Sequence, residues 1–214
     1  MSALTQQQRT ASDSASRPPR RVVVAEDESL VLVDVVEFLS ENGFDVVGRA
    51  YDGESAVRLA TDLTPDLVLM DVSMPLRDGI SATEILSRQG IGPVVLMTAD
   101  GRRESYQRAT TAGALGYLTK PVRPEGLLPA IEIALARHRQ IRGLRSQAAE
   151  MLDQLESQGL VNRAKDVLIE RFSLSAIEAS AWLEQTAAER GLTEREVART
   201  IVDGMKRKSR GRKR

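Results

Sequence analysis

Leu67-Val68-Leu69-Met70-Asp71-Val72-Ser73-Met74-Pro75 opens as four apolar residues in a row and then meets a carboxylate. A strand with apolar side chains on both faces belongs inside a sheet covered on two sides. The run therefore predicts a buried parallel strand that ends at Asp71. Upstream, residues 22–25 and 45–50 read as two further strands, with helices over 30–42, stopped by Gly43, and over 54–63. Downstream, residues 94–98 and 116–118 supply a fourth and a fifth strand, helices over 80–89 and 102–111 lie between, and another helix begins near Glu125. Alternation of this kind predicts a doubly wound α/β domain built on a five-stranded parallel sheet.

From Glu125 the pattern is wholly helical, with Leu128, Ile131, Leu135, Ile141, Leu144, Ala148, Met151 and Leu155 mostly three and four residues apart. Such a stripe suits a long helix with a partner, although Gly143 marks a place for a joint. Past Gly159 come three amphipathic segments, 160–172, 175–190 and 193–205, divided by Ser173 and Gly191. Ser175 and Thr193 stand where N-caps belong, Thr193 with Glu196 as a capping box. The expected layout is a disordered lead-in over 1–20, an α/β domain over 21–138, a helical or coiled-coil linker over 139–159, a small three-helix all-α domain over 160–205 and a basic tail over 206–214.

Composition removes several function classes. With no cysteine, disulfides, thiolate metal sites and thiol catalysis are excluded. No apolar run approaches the ~20 residues of a membrane helix and the first 20 residues hold no secretory core, so a cytoplasmic protein without a membrane partner is expected. The zero net charge conceals an asymmetry: residues 22–138 hold 18 acidic and 10 basic side chains, while 206–214 hold seven basic residues and no acid. The lone histidine, His138, falls on the connecting helix and no second carboxylate cluster appears, so an enzymatic output is not expected.

In parallel α/β sheets, ligands bind outside the carboxyl ends of the strands. Glu26 and Asp27 follow the first strand, Asp71 the third, Thr98 ends the fourth, and Lys120 with Pro121 follows the fifth. Three carboxylates at one edge repel each other unless a hard cation such as Mg²⁺ takes them as oxygen ligands. With such an ion and a lysine ammonium to balance incoming charge, an aspartate can attack phosphorus and carry an acyl phosphate.

Those residues resemble the receiver domains of two-component systems. The likeness rests on Val22-Val23-Val24-Ala25-Glu26-Asp27, on Leu67 to Pro75 with Asp78-Gly79, and on Gly116-Tyr117-Leu118-Thr119-Lys120-Pro121. It implies a flavodoxin-like fold, Asp71 as phosphoacceptor, and a Mg²⁺ site made by Glu26, Asp27, Asp71 and the carbonyl of Ser73. It also implies a phosphoryl contact from Lys120 and a switch pair, Thr98 and Tyr117. A cognate sensor histidine kinase is the implied partner.

The last segments resemble the ANTAR domain, an RNA-binding antitermination module, through Arg163-Ala164-Lys165, Glu170-Arg171-Phe172, Leu174-Ser175, Glu178-Ala179, Ala187-Ala188 and Glu196-Val197-Ala198. The resemblance implies recognition of RNA hairpins in leader transcripts through Arg163, Ala164 and Lys165, with a phosphorylation-dependent homodimer formed through the preceding coiled coil. The chain departs from that family at Glu184 and Gln185, where basic residues are common, and at Asp166, a position often given to glycine. Sequence-independent phosphate attraction by the tail would compensate. Trp182 is expected to anchor the small bundle rather than to stack on a base. A DNA-binding output is the main alternative, although Arg195 and Arg199 are the only basic residues of the last segment before the tail; an output that binds only protein is the third.

Overall fold

The structure is a computed structural model that describes residues 20–211, with side chains through residue 204. Five strands form one parallel sheet: β1 (Arg20–Ala25), β2 (Phe44–Ala50), β3 (Leu67–Asp71), β4 (Val94–Thr98) and β5 (Gly116–Thr119), in the order β2-β1-β3-β4-β5. Four helices alternate with them, α1 (Ser29–Glu41), α2 (Gly53–Leu63), α3 (Gly79–Gln89) and α4 (Arg103–Ala112). Three more follow, α5 (Pro124–Phe172), α6 (Ala176–Arg190) and α7 (Glu194–Gly211). Contacts divide the chain into two compact units with the boundary between Ile141 and Arg142, inside α5.

The period-2 geometry of a strand splits the sheet's side chains between two cores. Val22, Val24, Leu67, Leu69, Val95 and Met97 pack with Leu32, Val35 and Leu39 of α1 and Leu127 and Ile131 of α5. Their neighbours Val23, Ala25, Val68, Met70, Val94 and Leu96 pack with Ala56 and Ala60 of α2, Ile80 and Leu86 of α3 and Ala109 of α4. This two-sided burial is why the central strands read as unbroken apolar runs. It also brings the carboxyl ends of β1, β3 and β4 into register, with Ala25 opposite Met70 and Asp71 opposite Met97.

Aspartates start two of the helices. Asp52 accepts from the Ser55 N–H at 2.7 Å and Asp78 from the Ser81 N–H at 2.9 Å, each satisfying a donor that the first helical turn leaves open. The second helical unit packs the end of α5 against α6 and α7 through Val161, Ala164, Leu168, Ala179, Leu183, Ala187, Val197 and Ala198. Its two turns carry reciprocal capping boxes. The Thr193 N–H donates to Glu196 Oε2 at 2.8 Å and the Glu196 N–H to Thr193 Oγ1 at 3.3 Å. Ser175 and Glu178 make the same exchange at 2.7 and 3.2 Å, a second box not expected from the sequence.

Three boundaries differ from the sequence expectation. Arg20, placed in the lead-in, is the first residue of β1, opposite Phe44; its guanidinium lies over the Phe44 ring at 5.9 Å and pairs with Glu132. The rest of the lead-in lies outside the described residues. Neither Gly143 nor Gly159 interrupts α5, so linker and first output helix are one element. A side chain at either glycine would meet nothing within 4 Å, so the cost is the propensity term alone, about 1 kcal/mol each. The last helix continues past Met205 to Gly211, taking in part of the expected tail; residues 212–214 lie outside the described region.

Candidate functional site

At the carboxyl edge of the sheet Glu26 and Asp71 are buried and Asp27 is exposed. One oxygen from each of these three carboxylates lies within 4.8 Å of the others. Lys120, just past β5, reaches into the cluster: its Nζ donates to Glu26 Oε1 at 2.8 Å and lies 3.1 Å from Asp71 Oδ1 and 3.6 Å from Glu28 Oε1. The other oxygen of Asp71, Oδ2, accepts from the Ser73 N–H at 3.1 Å. Five residues read from the sequence, Glu26, Asp27, Asp71, Ser73 and Lys120, are thus brought together.

One ammonium stands among four carboxylates, which leaves the site short of positive charge. Burial pushes the Glu26 carboxyl up; Lys120 opposes this by hydrogen bonding, while the charge of Asp71 adds to it. Burial alone would pull Lys120 down, yet its hydrogen bonds to Glu26 and Asp71, with their charges, hold it above its usual value. Glu26 Oε2 is fully buried and has no hydrogen-bond partner. An orphaned buried carboxylate oxygen is costly, and beside two more carboxylates it fits a small hard cation that accepts oxygen ligands. The donor set suits Mg²⁺ and offers no nitrogen or sulfur to softer metals.

Gly79 was part of the sequence motif without an assigned role, and the structure supplies one. A Cβ at Gly79 would stand 2.0 Å from the Asp71 carbonyl oxygen, so only glycine lets the start of α3 close on the end of β3. Its N–H donates to the Val72 carbonyl at 2.8 Å.

Thr98 and Tyr117 do not touch Asp71 through any hydrogen bond; both are tied to Asp100. The buried Thr98 accepts from the Asp100 N–H at 3.0 Å, and the Tyr117 hydroxyl donates to the Asp100 carbonyl at 2.7 Å. The Tyr117 ring stands edge-on to Tyr106, centroids 5.6 Å apart. The Asp100 carboxylate accepts from Arg102 Nε and Nη2 and from Ser105 Oγ at 2.6 Å, and these bonds, Arg102 foremost, hold it well below the usual carboxylate range. Sequence reasoning passed over Asp100, because a polar residue after a strand looks like any turn residue.

In the helical unit the three residues of the expected RNA contact diverge. Arg163 is exposed and Lys165 half-buried, but Ala164 is fully buried in the core with Leu168, Ala179 and Leu183. Ala164 is therefore a packing residue, a correction to the expectation that it opens the helix to a nucleic-acid backbone. At about 100° per residue, Arg163 and Lys165 flank that buried face on opposite sides. Arg195 is held by Asp153 at 2.5 Å and Glu156 at 3.9 Å, which removes one of the two cations available to a DNA-reading helix. Trp182 also departs from expectation: Leu183 is the core anchor, and Trp182 is 43% exposed.

Comparisons with known proteins align with these two units. Residues 22–132 match the family model of the response regulator receiver domain, and residues 149–202 that of the ANTAR domain. The chain is similar to the transcriptional regulatory protein PdtaR of Mycobacterium tuberculosis, 41% identical over 192 residues that cover 90% of this chain and 94% of that protein. It is also similar to the chemotaxis protein CheY of Halobacterium salinarum, 35% identical over 53% of this chain and 95% of that one. Among solved structures, a two-component response regulator of the LuxR family from Aurantimonas superposes with a TM-score of 0.52 at 33% identity, covering 55% of this chain and 86% of that one.

Proposed function

The chain belongs to the response regulators, with a receiver domain followed by an ANTAR domain, and from that premise we propose that phosphorylation of Asp71 controls an RNA-binding output that carries transcription past a terminator. The receiver makes it a phosphorylation-controlled regulator with a regulatory output. In the proposed division of labour, residues 21–138 receive the phosphoryl group, 139–159 couple and 160–205 act on RNA. Among the described residues no helix is long and apolar enough to cross a membrane.

The observation that carries the phosphoryl step is Asp71 Oδ1 lying 3.1 Å from Lys120 Nζ, beside Glu26 and Asp27. The Asp71 carboxylate attacks the phosphorus of a sensor kinase's phosphohistidine, the P–N bond breaks, and the histidine ring leaves with that electron pair and takes up a proton. Lys120 screens the negative charge that gathers on the phosphoryl oxygens. Glu26, Asp27, Asp71 and the carbonyl of Ser73 would hold Mg²⁺, which when bound supplies charge neutralisation for the incoming group. Thr98 would donate its hydroxyl to the phosphoryl oxygens once its bond with the Asp100 N–H is given up, and Tyr117 would turn with it.

RNA is favoured over DNA because Arg195, one of the two cations of the last helix before the basic run, is occupied by Asp153, whereas Arg163 on α5 is exposed. The test is a mobility shift with a hairpin pair, a scrambled hairpin and duplex DNA, using protein with and without acetyl phosphate and Mg²⁺. Phosphorylated wild type should shift the hairpin pair, and Asp71→Asn should neither take up phosphate nor gain affinity. A preference for duplex DNA would replace the RNA reading, and no shift with any nucleic acid would point to a protein-binding output.

A further inference from the structure

The helical unit contains an open cavity of about 440 Å³ whose walls include Arg171 and Phe172 of α5, Leu174 of the turn, Trp182 of α6, and Thr200 and Ile201 of α7. Trp182 is 43% and Phe172 66% exposed. Neither ring belongs to the cluster of Leu168, Ala179, Leu183 and their neighbours that closes the bundle core. Two large aromatic side chains left outside the core of so small a unit cost hydrophobic stabilisation, and an exposed apolar patch of this kind marks a binding surface. The volume lies within the roughly 300–1,000 Å³ of small-molecule sites.

Charge identifies the occupant. Arg171 is exposed at the rim, and α7 runs on past Gly204 through Lys206, Arg207, Lys208 and Arg210. After Glu196, the only acid in α7 is Asp203. Aromatic walls accept a flat ring, and the Arg171 guanidinium among them accepts an anion. A nucleotide carries both within one repeat of a nucleic-acid chain, and stacking of a base on an aromatic side chain beside a basic track is how single strands are held. A partner's apolar helix face would fill the walls but leave the Arg171 guanidinium unmatched.

We propose that this groove is a nucleobase pocket, in which an unpaired base of the bound RNA stacks on Trp182 while Arg171 holds the neighbouring phosphate. The pocket rests on the RNA reading of the helical unit and adds to it a subsite that recognises a base rather than the backbone. Arg163 and Lys165 do not line the groove and are left to phosphate contacts that position the RNA.

Trp182 is the only tryptophan of the chain, so its emission reports on this groove alone. The full-length protein, unphosphorylated and phosphorylated, is titrated with stem–loop RNA carrying a randomised unpaired loop. The same stems with an abasic loop, which keeps sugar and phosphate, serve as the comparison. The base-bearing pool should quench Trp182 and bind tighter than the abasic pool by on the order of tenfold to a hundredfold. Trp182→Ala should erase that difference while leaving affinity for the abasic pool unchanged, and Trp182→Phe should retain most of it. If circular dichroism shows that Trp182→Ala is unfolded, the wild-type emission and the Trp182→Phe variant decide. Equal binding of both pools with unchanged emission overturns the pocket and leaves RNA binding standing. Absence of binding to either pool removes the RNA reading itself, and the pocket with it. An emission shift that tracks protein concentration without RNA assigns the groove to a second copy of the chain and likewise overturns the proposal.

Discussion

Lys120 holds the sheet edge together by charge, and its removal separates the two roles proposed for that pocket. Its Nζ screens Glu26 and Asp71 at 2.8 and 3.1 Å, so Lys120→Ala leaves the carboxylates with less positive charge around them. Mg²⁺ affinity should then stay the same or rise, while the phosphorylated form loses its gain in RNA affinity, because the contact to the phosphoryl group is gone. Metal titration and a mobility shift of the same variant check both halves; weakened Mg²⁺ binding would contradict the assignment. The meeting of Glu26, Asp71 and Lys120 was legible in the sequence because Asp71 ends a strand and the other two directly follow one, and strand ends in a parallel sheet converge. Asp100 and Ala164 were not legible in their roles. The first acts through its backbone, and the second lies between two cations whose spacing says nothing about which face of the helix is buried.

Helix ends were easier to read than helix continuity. The start of α3 depends on Asp78, which accepts from the Ser81 N–H at 2.9 Å and from Ser81 Oγ at 2.7 Å. Burial alone would raise its carboxyl, but the bonds from Ser81 and the Ile80 N–H lower it below the usual range. A carboxyl lowered in the folded state stabilises fully above its unfolded pKa of about 3.9 and loses that contribution as pH falls through the folded value. Asp78→Ala should therefore cost about 1 kcal/mol at neutral pH, with the gap from wild type closing as pH drops below about 4. Denaturant titrations at neutral and acid pH measure it; a gap that persists at low pH would mean that Asp78 works through something other than its charge. By contrast α5 runs unbroken through Gly143 and Gly159, against about 2 kcal/mol of unfavourable propensity, which the local pattern alone would read as a joint.

For the whole molecule the unfinished surface is the stripe of α5. Leu144, Met151 and Leu155 are 58%, 65% and 69% exposed, and with Ala148 they repeat at the spacing of a coiled-coil seam. A second copy is the expected cover, and phosphorylation should raise association through it. Sedimentation of free and phosphorylated protein should show the mass doubling, and Met151→Glu with Leu155→Glu should restore the monomer. A monomer in both states at concentrations where RNA binds would rule out dimerisation as the switch and leave unmasking of the output. The tie between Thr98 and Tyr117 has a different reach, because both bonds end on peptide atoms of residue 100 rather than on its side chain. Every amino acid but proline offers both peptide atoms, so this link can persist while position 100 drifts, and covariation between related genes would carry no trace of it. Exchanging the amide N–H of residue 100 for an ester oxygen would interrupt half of the wiring that no codon change to another N–H-bearing residue can reach.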